Sequence, residues 1–265
     1  METNTKKYPF AFKITVVTSF VVMVAVNAFA NILPFNGIST GEVSDSYPNL
    51  FAPAGITFSI WGVIYLLLAL YSLYQFGIFQ KKAVLDTPLY NKTGTFFVIS
   101  SIANAAWIFA WHYKALALSL VLMLIILVSL ASINTILIKA DLTVKDKIFI
   151  KLPFSIYFGW ITVATIANVT AFLVDIGWER FGLSEIFWTI AIILTGLLIG
   201  GFTAYINRDI PYALVLIWAY AGIIIKHVSD TGFNLSYPSV IITVTVAITL
   251  FIVDIVYIII KMRKI

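Results

Sequence analysis

Cysteine is absent from the 265-residue chain. That excludes disulfides, thiolate metal sites and a cysteine nucleophile, and leaves the redox compartment undetermined. Charge is scarce as well. Only 11% of residues are Asp, Glu, Lys or Arg, less than half of the ~25% of an ordinary soluble domain. With 61% hydrophobic residues and a mean hydropathy of +1.01, a chain of this size could not hide its apolar surface from water. A soluble globular enzyme is excluded, and so is intrinsic disorder, which needs low hydrophobicity and high charge. The only two histidines, His112 and His227, are far apart, and neither has a second ligand at metal spacing. No P-loop, dinucleotide fingerprint, H-E-x-x-H or G-x-S-x-G occurs, which argues against energy coupling by nucleotide hydrolysis within the chain.

What the chain has is long apolar runs. A spanning helix needs roughly 20 predominantly apolar residues, and eight such runs occur, near 11–33, 56–78, 93–113, 115–138, 149–175, 186–206, 211–227 and 239–261. The breaks are chemically sensible: Pro34 to Gly37, Gln80 to Lys82, Asp141 to Lys147, and Asn207 to Asp209. None of the runs alternates with the period of two that a membrane β-barrel requires. The expected fold class is therefore all-α, a polytopic membrane helix bundle of about eight transmembrane helices.

Lysine and arginine set the expected orientation. With the N-terminus inside, 14 basic residues fall on the cytoplasmic side (Lys6, Lys7, Lys13, Lys81, Lys82, Lys92, Lys139, Lys145, Lys147, Lys151, Arg208, Lys261, Arg263 and Lys264). Only Lys114, Arg180 and Lys226 fall outside. This strong positive-inside bias predicts a multi-pass protein of the cell (cytoplasmic) membrane with both termini cytoplasmic. The formal net charge of +5 thus reflects orientation, with some attraction to anionic membrane lipid. It gives no support to nucleic-acid binding, because no basic cluster sits on a soluble surface. The first span ends in Ala28-Phe29-Ala30, which resembles a signal-peptidase site, but the run is nearer to span length than to an h-region, so an anchored helix is expected.

Polar groups inside a bilayer cost energy unless they face a partner or a cavity. The first span carries Asn27 and Asn31. The second opens with Pro53-Ala54-Gly55 and continues with Phe58, Trp61 and Tyr65. Asn104, Trp107 and Trp111 occupy the third, and Pro153, Tyr157, Trp160, Ala164 and Asn168 the fifth. Spacings of three and four put each set on one helix face. Two readings stand side by side. Such faces suit the walls of a pocket for a flat, largely apolar ligand, with indole N–H and amide groups to orient it. They also suit interface anchoring by Trp and Tyr and interhelical bonding by Asn, the more ordinary reading of the residues alone.

Several of these segments resemble the translocator protein family, the TspO-type tryptophan-rich sensory proteins. The family's Pro/Trp pattern around the first outer loop and second span is matched by Pro48, Pro53, Trp61 and Tyr65. Its N-x-x-W is matched by Asn104 and Trp107. Its L-P start and Y-x-x-W-x-x-x-A-x-x-x-N run are matched by Leu152-Pro153, Tyr157, Trp160, Ala164 and Asn168. The resemblance covers about residues 10–175, the first five spans. It implies a TspO-like five-helix membrane domain over residues 1–176, with three additional transmembrane helices over 177–265. It further implies a ligand site built from Pro53, Trp61, Tyr65, Asn104, Trp107, Tyr157, Trp160, Ala164 and Asn168, for a tetrapyrrole or sterol-like molecule. The small Ala164 would leave the cavity open. No enzyme activity, metal or required cofactor is implied; a tetrapyrrole would be a ligand.

The departures limit what carries over. Family tryptophans are replaced by Leu50 and Gly55, and a proline by Ser59. A tryptophan at the position of Gly55 is implicated in photochemical porphyrin degradation by bacterial relatives, and Gly55 has no π system, so that activity is not expected. The leading expectation is a sensor, carrier or transport accessory. The alternative is a secondary transporter or permease subunit with Asp254, in the last span, as a coupling group. The more ordinary expectation for Asp254 is pairing with Lys261, whose long side chain can reach back. A third possibility is a structural partner of another membrane complex. Gly196-x-x-x-Gly200 favours close helix packing, a homodimer being one use of it.

Overall fold

The computed structural model describes residues 10–33, 35–78 and 87–263. The expected breaks at Pro34 and at Gln80 to Lys82 lie outside the described residues, as do Lys6, Lys7 and Lys264. In lipid the backbone must satisfy its own hydrogen bonds, so apolar runs of span length become helices. Helix α1 covers Phe10–Ile32. A short helix α2 (Thr40–Asp45) follows, and a 3-10 turn at Gly55–Ser59 leads into α3 (Ile60–Gln75). Next come α4 (Thr87–His112) and α5 (Leu116–Ile138). A single turn, α6 (Val144–Asp146), passes through a π-helical turn (Lys147–Lys151) into α7 (Leu152–Asp175). Helices α8 (Glu185–Asn207), α9 (Ile210–Val228) and α10 (Pro238–Met262) complete the chain. Among the described residues, eight helical segments are long and apolar enough to cross a membrane, one for each run seen in the sequence.

The fifth span begins earlier than its apolar run. Thr143 caps it: the Thr143 hydroxyl accepts from the Asp146 N–H at 3.2 Å while the Asp146 carboxylate accepts from the Thr143 N–H at 3.0 Å. Pro153 then stands inside a continuous helix and cannot donate. The π turn just before it, closed by Leu152 N–H on the Lys147 carbonyl, is the local adjustment such a proline calls for.

Helix α7 is the hub. It packs on α3, α5, α8 and α9, while α1 packs on α3 and α4, and α10 on α8 and α9. At one end, the buried Asp209 carboxylate joins three elements. Its Oδ1 accepts from the Tyr212 N–H and caps α9, while Oδ2 accepts from Ser155 of α7 at 2.6 Å and Asn134 of α5 at 3.4 Å. The G-x-x-x-G face of α8 is used within the chain. A Cβ on Gly196 would stand 2.5 Å from the Tyr220 hydroxyl, and one on Gly200 2.4 Å from Leu216 Cδ1, both side chains of α9.

At the opposite end, α9 holds the segment between α1 and α3. The Ala54 N–H donates to the Gly222 carbonyl and the Trp218 indole to the Thr57 carbonyl, both at 2.9 Å. His227 Nε2 donates to the Leu50 carbonyl at 2.9 Å, and Lys226 pairs with Asp45 at 2.8 Å. Gly222 permits this approach: a Cβ there would lie 2.0 Å from Thr57 Oγ1 and 2.9 Å from Thr57 Cβ. Gly222→Ala is therefore expected to cost about 1–3 kcal/mol by overpacking. A lowered midpoint in detergent thermal unfolding checks it, and an unchanged midpoint would refute the close approach.

Candidate functional site

The aromatic faces of α3, α4 and α7 converge. Trp61 meets Trp160 edge to face at 6.2 Å between centroids and Tyr157 at 5.9 Å, and it stacks on Tyr65 at 5.4 Å. Phe58 meets Trp160 at 5.8 Å, and Trp107 stacks on Trp111 at 5.5 Å. Between them lies a cavity whose lining includes Pro53, Trp61, Trp107, Trp160, Ala164 and Asn168. Tyr65, Asn104 and Tyr157 stand one layer behind, against the cavity's own walls or on each other.

Four further positions line the cavity that spacing did not single out as ligand contacts: Ser44, Trp111, Val163 and Ala167, together with Phe58 at the α3 entrance. Trp111 and Phe58 were visible on their helix faces. Ser44 was not, because it sits on α2, six residues without a span-length signal. Helix α2 is held by a capping box in which Glu42 accepts from the Ser39 N–H at 2.6 Å and Ser39 Oγ accepts from the Glu42 N–H. The bond from Ser39 holds the Glu42 carboxyl below its ordinary range. Its contribution to the cap is present at neutral pH and is lost as pH falls through that lowered value.

The polar side chains are mostly committed to one another. Asn27 donates to Asn104 Oδ1 at 2.7 Å, and Asn104 donates to the Tyr157 hydroxyl at 3.1 Å, a relay across α1, α4 and α7. Asn168 donates to Ser119 of α5 at 2.9 Å. His112 is fixed by Thr40 at 3.0 Å and by the Phe35 carbonyl at 3.1 Å. Trp111 donates to the Thr40 carbonyl. Two indoles differ: Trp107 Nε1 and Trp160 Nε1 are buried with no hydrogen-bond partner among the described residues. Both rings line the cavity.

Two expectations need correction. The cavity is narrow, about 50 Å³, where the small Ala164 had suggested an open one. Pockets for small molecules run to several hundred Å³, and here four indoles and Phe58 share the lining with Ala164 and leave little space between them. The Asp254–Lys261 pair is also not formed. Lys261 Nζ lies over the rings of Tyr205 at 5.4 Å and Tyr257 at 5.7 Å, while Asp254 Oδ2 is buried without a hydrogen-bond partner among the described residues. Tyr257 is one turn from Lys261 and Asp254 is two, so the nearer ring captures the ammonium.

An eight-span helical bundle with an intramembrane cavity walled by tryptophans defines a class of polytopic membrane proteins. Within it, the chain belongs to the TSPO-like family: a family model described as TSPO-like protein matches residues 13–257. The match runs through α8, α9 and almost all of α10, beyond the five spans that carry the recognisable motifs. No curated protein and no solved structure matches the chain.

Asn104→Ala removes the middle of the relay: the Asn27 amide keeps only its bond to the Met23 carbonyl, and the Tyr157 hydroxyl loses its donor. The expected cost is about 1–3 kcal/mol, read as a lower unfolding midpoint. A double Asn27→Leu, Asn104→Leu variant should recover part of that loss, because fewer polar groups are left without partners.

Proposed function

We propose that this TSPO-like membrane protein binds a flat, hydrophobic ligand of the porphyrin or sterol-like class between α3, α4 and α7, and acts as a sensor, carrier or transport accessory with no chemistry of its own. The observation that carries this reading is the pair of buried indole N–H groups, Trp107 and Trp160, that line one cavity with no acceptor. An unmade hydrogen bond of a buried donor costs roughly 1–3 kcal/mol, and a ligand carrying acceptors would satisfy both. The aromatic rings supply stacking surface for a planar molecule. Because the cavity is narrow, ligand entry requires the indoles to separate. The basic residues Lys13, Lys92, Lys139, Lys151 and Arg263 support placing the Asp209 end of the bundle at the cytoplasmic face of the cell membrane.

A fluorescence-quenching titration with protoporphyrin tests the reading. Saturable quenching in the micromolar range or tighter is expected. Trp160→Phe keeps the ring, loses the donor and should weaken binding about fivefold, the equivalent of ~1 kcal/mol. Ala164→Phe fills the cavity and should abolish binding. Quenching that is the same in both variants would overturn the site.

One observation favours a second reading, proton-coupled transport: the buried, unpartnered Asp254 Oδ2 in α10. Membrane-embedded carboxylates of this kind serve proton relays. In proteoliposomes under a proton gradient, porphyrin flux lost in Asp254→Asn would favour transport. Binding without flux would favour the sensor.

A further inference from the structure

The basic end of the bundle contains a site that the aromatic cavity does not use. Two cavities there, of about 640 and 270 Å³, share the same three cations: Lys147, Lys151 and Arg208. None of the three has a hydrogen bond or ion pair through its side chain among the described residues. The one carboxylate that lines either cavity, Asp209, is already engaged by Ser155, Asn134 and the Tyr212 N–H. Three like charges around one space repel one another, and an anion between them removes that repulsion.

The backbone holds the three in place by unusual means. Lys147 and Lys151 are the first and last residues of the π turn that precedes Pro153, a conformation that recurs at functional sites. Arg208 ends α8 in the left-handed region, at φ 48° and ψ 47°, where glycine or asparagine is usual because a side chain is strained there. A charged side chain is kept at a position that glycine would fill more comfortably.

The walls of the larger cavity identify the anion. They include Ile138, Ile206 and Met262, which are 42%, 57% and 52% exposed at the ends of membrane-spanning helices. A free phosphate would meet the cations and leave these side chains uncovered. A phosphate attached to acyl chains would meet both. Basic pockets between spanning helices on the positively charged side are suited to anionic headgroups, and the guanidinium fork suits phosphate oxygens.

We propose that these cavities bind an anionic glycerophospholipid, its phosphate held by Lys147, Lys151 and Arg208 and its acyl chains lying along Ile138, Ile206 and Met262. This site is independent of any ligand in the aromatic cavity. Native mass spectrometry of the full chain, delipidated in detergent and titrated with dioleoyl phosphatidylglycerol, dioleoyl phosphatidylcholine and inorganic phosphate, tests it. Phosphatidylglycerol should be retained at least tenfold more strongly than phosphatidylcholine. A combined Lys147→Gln, Lys151→Gln, Arg208→Gln variant should lose at least tenfold of that retention, with phosphatidylcholine unchanged. Lys92→Gln, at the same end of the bundle but outside both cavities, should change neither. Arg208→Gly separates binding from folding: its unfolding midpoint should equal or exceed that of the parent, while phosphatidylglycerol retention falls at least threefold. Equal retention of the two lipids, an equal loss in Lys92→Gln, or displacement of phosphatidylglycerol by equimolar inorganic phosphate would overturn the proposal.

Discussion

The grip of α9 on the segment between α1 and α3 is the contact on which the aromatic cavity depends. Among its described residues that segment has little regular structure of its own, only the six residues of α2 and two 3-10 turns, yet it delivers Ser44, Pro53 and Phe58 to the cavity. Gly222, Trp218 and His227 each fix one point of its backbone. Backbone groups at the edge of a bilayer need partners, and here a helix from the far end of the chain supplies them. The last three helices are therefore not an appendage. Helix α8 packs on α9 through Gly196 and Gly200, α10 packs on both, and the whole group positions the surface that shapes the cavity.

Inside the bundle, polar side chains hold helices to one another. The Asn27–Asn104–Tyr157 relay, the Asn168–Ser119 bond and the Asp209 junction link α1, α4, α5, α7 and the α8–α9 turn. Each such bond in a membrane is worth only about 0.6 kcal/mol on average, so their value lies in fixing register as much as in strength. Among the buried polar atoms left without a partner, Trp107 and Trp160 stand out because both line the aromatic cavity. Their rings are packed like core, and their N–H groups are not.

The spans were legible in the sequence because lipid leaves an apolar run few alternatives to a helix. The aromatic faces were legible because spacings of three and four survive folding unchanged. Spacing cannot report what crosses between helices. Asn104 and Tyr157 share a face pattern with Trp107 and Trp160, but they bond to each other and leave the cavity wall to the indoles. Thr57 against Gly222 joins residues 165 positions apart with no motif at either end, and Ser44 lies on a helix too short to announce itself. The narrowness of the cavity was hidden for a related reason. Ala164 is small, but four indoles and Phe58 share the lining with it. Asp254 failed as a partner for Lys261 because the nearer Tyr257 lies on the same face.

The bonds from α9 also impose an order of events on biogenesis. His227 and Leu50 are 177 residues apart, so at translation rates of 5–20 residues per second the segment between α1 and α3 leaves the ribosome roughly 9–35 s before its anchor is made. Through that interval α1 to α7 can insert and associate, with the Asn27–Asn104–Tyr157 relay already available to them. The cavity is completed only when the seventh span arrives. A nascent chain arrested after α7 would hold a bundle without a finished cavity, and synthesis of α9 is the step that converts one into the other.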